Sequence, residues 1–306
     1  MAITRGNPSY QSGYFGPLTG TSAYASTGGD IIHYVSNGQA DTNTSNGGTY
    51  RTHIFENVGD YTITFDRDGY VDVLVVAGGG AGGAGYNGRP GGGGGAGGVV
   101  AQYGLGVTAT TYPIRVGAGG VPTANGNIPN MIGGKSYFGP VVAFGGGGGS
   151  HGNGGDAAYS GGSGGGASGL NGGTGASGTN SQGTDGGNSY HNNMSAGGGG
   201  AGTPGSAAQL NVSVGDGGDG LPFAFYSNTQ IYYGGGGAGT NYGTSYGAVP
   251  QGGLGGGANG SNSGETNGQD ANYYGGGGAG GSSNATNWNQ GGSGFGGIVM
   301  VRYRIF

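Results

Sequence analysis

The side chains able to do chemistry are few, and their spacing argues against catalysis. Ser150-His151 with Asp156 close behind offers a hydroxyl, an imidazole and a carboxylate. No nucleophile elbow, oxyanion motif or strand-to-helix turn accompanies them, and a hydrolytic triad is recognised by that context. The stretch reads as a polar loop, and no enzymatic activity is expected. His33 and His53 fall in strand candidates and read as hydrogen-bonded scaffold residues. Gly215-Asp216-Gly217-Gly218-Asp219-Gly220 is similar to a calcium turn, since carboxylates and carbonyls are hard-cation ligands. Two carboxylates in a glycine loop nevertheless read as a solvated turn, so no metal and no cofactor is expected. The absence of cysteine excludes a disulfide framework, a thiolate zinc site and a cysteine nucleophile. GxGxxG matches carry nothing, because a polyglycine tract satisfies that pattern by chance and no crossover helix follows.

Aromatic residues give the stronger signal. Tyrosine makes up 21 of 306 residues, and the loops mix it with Asn, Ser, Thr and Gly. That is the composition of a paratope, in which rigid amphipathic rings are combined with adaptable hydrogen-bonding groups. Such loops also suit sugars, whose apolar faces stack on rings. Not every ring has this role: Phe144, Tyr232, Tyr233, Tyr273 and Tyr274 abut glycine runs directly and are expected to cover them.

These loops hang on a glycine scaffold. The hexamer Gly-Gly-Gly-Gly-Ala-Gly recurs unchanged at 92–97, 197–202, 234–239 and 275–280, which marks copies of one structural unit. An α-helix cannot form from these runs, because each glycine costs about 1 kcal/mol relative to alanine. Ordinary strands gain little from residues without side chains. The remaining candidate is polyproline-II geometry, whose N–H and C=O groups all point to neighbours. The expected fold is therefore mainly β with a polyglycine-II helix bundle over 78–297, inserted into a small β domain. Gly236→Val should block close approach of backbones, whereas Thr240→Val, in a loop, should not.

Strands flank the glycine region. Tyr61–Phe65 alternates, Asp66-Arg67-Asp68-Gly69 supplies a turn, and Tyr70–Ala77 reads as a buried strand, together a hairpin. Ile31–Val35, Tyr50–Phe55, Val99–Tyr103, Tyr112–Val116 and Val141–Phe144 are further candidates, and Ile298–Ile305 closes the chain as a neighbour of Tyr70–Ala77. If the chain leaves the β domain at Ala77 and returns at Ile298, alternate loops face away from it: 84–90, 150–160, 203–212, 240–251 and 282–290. The distal end would then gather Tyr86, His151, Tyr159, Tyr242, Tyr246 and Trp288, the sole tryptophan.

Charge and hydropathy narrow the function classes. No Lys or Arg occurs between Lys135 and Arg302, which excludes a nucleic-acid surface over most of the chain. No run of 18 apolar residues exists, so no membrane-inserted helix is expected. Met1-Ala2-Ile3-Thr4-Arg5 lacks the apolar region of a secretion signal, so synthesis in a cytoplasm is expected.

The combination YTITF, VDVLVVAGGGAGG, GGGGGAGGVV, YPIRVGAGG, KSYFG, repeated GGGGAG and GGSGFGGIVMVRY resembles the glycine-rich domain of bacteriophage tail fibres and other virion appendages. The resemblance covers about residues 50–306. It implies localisation in the virion and an adhesin that recognises a host surface receptor, a glycan or an outer-membrane component, through loops at the end of the glycine region. Residues 1–49 match no motif and would join other virion proteins, with a trimer as the favoured oligomer. The alternative is a structural tail-fibre or capsid-decoration protein without a specific receptor, and a more distant one is a flat binder of ice or polysaccharide.

Overall fold

The computed structural model describes residues 26–27, 30–36, 48–123, 130–153, 157–209, 214–225, 229–242, 249–261, 266–282 and 288–304. Among these residues twelve strands are formed: β1 (Ser26–Thr27), β2 (Asp30–Ser36), β3 (Gly48–Phe55), β4 (Gly59–Thr64), β5 (Gly69–Val76), β6 (Val99–Val107), β7 (Thr111–Val116), β8 (Ser136–Phe138), β9 (Val141–Ala143), β10 (Leu221–Phe223), β11 (Ile231–Tyr233) and β12 (Ile298–Arg304). They make one five-stranded sheet in the order β1-β4-β7-β8-β9, another in the order β2-β3-β12-β5-β6, and a two-stranded sheet β10-β11. All the pairings are antiparallel. The segment before residue 50 thus supplies a strand to each large sheet.

The alternation of side chains along β5 explains the layering. Val71, Val73 and Val75 cluster with Ile63, Phe65, Ile114 and Phe138 of the first sheet, which makes the two large sheets a sandwich. Leu74 and Val76 point the other way and cluster with Tyr233, Phe225 and Met300 under the β10-β11 pair. With both faces covered, the second half of β5, Val73 to Val76, is apolar on both sides. The closing strand is where the sequence places it, with Ile298 opposite Val76 and Arg302 opposite Asp72. The hairpin of Tyr61–Phe65 with Tyr70–Ala77 does not form. β4 pairs with β7, β5 pairs with β6 and β12, and the turn between them carries the chain from one sheet to the other. Period-two alternation specifies a strand but not its partner.

The expected bundle of polyglycine-II helices is overturned. Among the described residues no helix or helical bundle is formed, and regular structure consists of the strands alone. The glycine runs are lines of backbone whose hydrogen bonds go mostly to other lines. From the first run, Gly78 and Ala81 donate to Gly134 and Met131, Gly79 and Gly82 to Phe295 and Gly292, and Gly80 and Gly83 to Gly95 and Gly92. Because no bond from this run closes within it, neighbours and not an internal helical repeat dictate its course.

Those neighbours carry the register of the sheet outward without forming strands. Val76 faces Val99 in the β5-β6 ladder. The same register then runs outward through Ala77 N to Gly98 O, Gly80 N to Gly95 O and Gly83 N to Gly92 O, ending at the reciprocal pair Tyr86 and Arg89. The β12-β5 register extends likewise through Gly79 N to Phe295 O, Gly82 N to Gly292 O and Gly85 N to Asn289 O. A fourth line, 145–152, leaves β9 parallel to 78–84, with Gly146, Gly149 and Gly152 donating to Gly78, Ala81 and Ala84. Four lines rooted in the sandwich therefore reach the same distance out.

His53 ties acid stability to the sandwich. It is buried, its ring stacks on Tyr303 at 5.6 Å, and Nε2 lies 3.1 Å from the Tyr303 hydroxyl. Burial, with a smaller contribution from the Arg51 charge, lowers its pKa from 6.5 to about 4. The folded chain thus holds the imidazole neutral where the unfolded chain takes a proton. This stability is fully present above pH 6.5 and is lost progressively as pH falls towards about 4, amounting to roughly 3 kcal/mol. Urea unfolding midpoints at pH 7 and pH 5 should differ in the native chain, and His53→Gln should shrink the difference; an unchanged difference would exclude His53 as its source.

Candidate functional site

The outermost point of the β5-β6 extension is the turn Tyr86-Asn87-Gly88-Arg89. Asn87 and Gly88 take φ of 50° and 75°, and Tyr86 and Arg89 exchange both hydrogen bonds, at 2.9 and 3.0 Å. Two left-handed central residues make the mirror-image turn whose twist suits a hairpin, and Asn-Gly is its preferred sequence. Gly85 and Asn289 also exchange two hydrogen bonds, so the next pair in register is Tyr86 with Trp288. Residues directly opposite one another share a face. The result is a parallel ring stack, Tyr86 on Trp288, with centroids 4.5 Å apart and planes 21° from parallel.

His151 reaches the same place on the line that leaves β9. Its ring lies edgewise to Trp288 at 6.0 Å and 86°. The residue is fully buried, and its Nδ1 accepts the Ala84 N–H at 2.8 Å. That bond fixes the neutral tautomer carrying its proton on Nε2. His151 therefore props the stack from beneath, while Tyr86 and Trp288 are half-buried and present surface.

Of the six residues expected at the distal end, these three are brought together. Tyr242 stands half-buried at the outer end of the 234–240 line, its N–H donating to Asn193 O at 2.9 Å. Tyr159 lies partway back, its N–H donating to Gly148 O and its carbonyl accepting from Gly165 N. Tyr246 and Asp156 fall outside the described residues. The loop 203–212 was expected at the distal end but starts at the sandwich. Ala201 clusters with Val76, Val99 and Ile298, and Gly200 N donates to Thr203 O across the turn. Thr240 is not a loop position either: it is buried, its hydroxyl donates to Ser261 O at 2.5 Å, and its N–H donates to the Ser195 hydroxyl at 2.7 Å. Arg89 was missed among the candidates, although Asn87-Gly88 signals the tight turn that places it opposite Tyr86.

The carboxylates of the glycine region do backbone work. Asp216 accepts the Gln251 N–H at 2.7 Å, Asp219 the Leu254 N–H at 2.8 Å, and Asp270 the Ser293 N–H at 2.6 Å. Each stands in for a carbonyl that a further glycine line would supply. Among the described residues no group of three His, Cys, Asp or Glu side chains could hold a metal ion. Of the rings assigned to cover, Tyr233, Tyr273 and Tyr274 form an aromatic chain ending on Phe295. Tyr232 and Phe144 are exposed. Phe144 joins Ile132, Lys135, Ser160 and Thr179 around an open cleft of about 480 Å³ on the flank, which none of the six expected residues lines.

No curated protein matches the chain at a significant level. No helix among the described residues is long and apolar enough to cross a membrane. Residues 55–304, from the end of β3 to the end of β12, match the family described as a glycine-rich domain. The match takes in the sandwich core strands and every glycine line, and the chain belongs to that glycine-rich domain family.

Proposed function

We propose that this chain is a bacteriophage virion appendage protein that attaches the particle to its host, with a surface glycan or outer-membrane component as receptor. The observation that carries the reading is the Tyr86-Trp288 stack, backed by buried His151, at the end of the lines farthest from the sandwich. Rings held rigidly at an extremity lose little freedom on binding, and Trp and Tyr dominate the energetics of recognition surfaces. The glycine lines act as a stalk, stiff because most of their backbone N–H groups are tied sideways. The segment before residue 50 is the join to other virion proteins, and the assembled form is an oligomer with a trimer favoured.

The test is adsorption of particles to host cells. Trp288→Ala should reduce adsorption affinity by about 30-fold, the effect of truncating a hot spot worth roughly 2 kcal/mol. Tyr242→Ala, at a neighbouring outer end, should add to the loss, and particle yield should not change. Unaltered adsorption by correctly assembled Trp288→Ala particles would overturn the reading in favour of a structural fibre or capsid-decoration protein.

A further inference from the structure

The aromatic stack belongs to a longer row. Tyr86 lies between two antiparallel neighbours, Trp288 on one side and Arg89 on the other. Both are directly opposite it, so all three side chains emerge on one face, with adjacent Cβ atoms about 5 Å apart. The row therefore reads Trp288, Tyr86, Arg89: an aromatic platform with a guanidinium at its end. Arg89 is half-buried, and no ion pair engages it among the described residues.

Charge makes Arg89 distinctive. Of the eight Lys and Arg residues, only Arg89, Arg115, Lys135 and Arg302 lie between Gly78 and the middle of β12. Arg115 is in β7, Lys135 immediately precedes β8 and Arg302 is in β12. Arg89 is thus the one Lys or Arg in the glycine region placed away from the strands. A solvated turn needs no cation there, and the Asn87-Gly88 geometry is indifferent to the residue that follows. A planar fork of donors beside a ring platform matches a ligand with an apolar ring face and a carboxylate or phosphate carried on the exocyclic carbon of the ring.

We infer that the distal row selects anionic saccharides: a pyranose lies against the exposed Trp288-Tyr86 surface and its carboxylate or phosphate is taken by the Arg89 guanidinium. This rests on the attachment reading and gives its receptor a chemical class. No bond is made or broken, and selection is the difference between a filled and an unfilled fork.

The sole tryptophan is itself the probe, since any ligand on the row changes Trp288 emission. The purified chain is titrated at constant ionic strength with glucose, glucuronate and glucose 6-phosphate, and with the galactose and mannose counterparts. At least one anionic sugar should half-saturate at a concentration about tenfold or more below its neutral parent. Arg89→Gln should abolish that preference while leaving the neutral parent within about twofold of native, and Arg89→Lys should restore part of it. Raising salt should narrow the gap. The uronate and 6-phosphate arms tell carboxylate from phosphate. Equal response to neutral and anionic sugars, or a preference that survives Arg89→Gln, overturns anion selection while leaving sugar binding intact. Silence of Trp288 towards every sugar also overturns the inference, and the attachment reading then stands or falls on the adsorption of Trp288→Ala particles.

Discussion

Gly236→Ala, the addition of one carbon atom, is expected to be among the most damaging single changes in the chain. A Cβ at this position would lie 2.2 Å from the Gly198 carbonyl oxygen and 2.7 Å from that of Gly199. Both are backbone atoms, so no rotamer change relieves the contact. Gly236 itself donates to Gly218 O and accepts from Gly253 N, which means that moving its line strains bonds to two others. We expect a loss of about 3 kcal/mol or more, and a larger one for Gly236→Val. The control is two residues away. Ala238, the alanine of the same hexamer, is fully buried with its methyl accommodated, so Ala238→Gly should cost only about 1 kcal/mol from backbone entropy and a small void. Denaturant melts of the two variants measure the contrast. If Gly236→Ala were as mild as Ala238→Gly, the lines would not pack at backbone contact distance. Thr240→Val is destabilising too, against the expectation from sequence, because the Thr240 hydroxyl is buried and bonded.

Asp72→Ala is the second change with a large expected effect. Arg302 is 2% exposed and lies across the ladder from Asp72. Its Nε and Nη2 donate to Asp72 Oδ2 at 3.2 and 2.9 Å, its Nη1 donates to the Phe225 carbonyl at 3.1 Å, and the guanidinium sits 4.7 Å from the Phe225 ring centroid. The other oxygen, Asp72 Oδ1, accepts the Gly104 N–H at 2.9 Å beside the register shift between Val71 and Val73. Removing the carboxylate leaves a buried cation without its counter-charge and an amide without its acceptor, which together should cost about 3–5 kcal/mol. Asp72→Asn can keep the Gly104 bond through its amide oxygen but turns an amide NH2 towards the Arg302 donors, so it should recover only the Gly104 share of the loss and fall between native and alanine. The double variant Asp72→Ala with Arg302→Met should recover part of the loss, because a neutral side chain at 302 no longer needs the partner. Failure of the double variant to recover anything would place the effect at the Gly104 bulge.

The strands were legible because side-chain periodicity and β-branched content are local properties. YVDVLVVA and IVMVRYRI announce buried strands, and their pairing follows from the need of each to cover two apolar faces. The amino-acid order also determined that the glycine runs are copies of one unit, and that the chain carries a tight turn at Asn87-Gly88. It determined the rings available for recognition and the scarcity of positive charge away from the strands.

Tertiary structure decided what those pieces meet. Tyr61–Phe65 crosses to the other sheet because alternation is blind to partner choice. The glycine runs form no helices because a backbone without side chains and without internal bonds takes its course from its neighbours. Those neighbours inherit their register from β5, β6 and β12. Tyr86 and Trp288 are separated by about two hundred residues in the chain, and only that inherited register sets one ring on the other and Arg89 beside them. A glycine line has no side chain with which to write its partner into the sequence, so at the distal end the arrangement of the site is a property of the whole array.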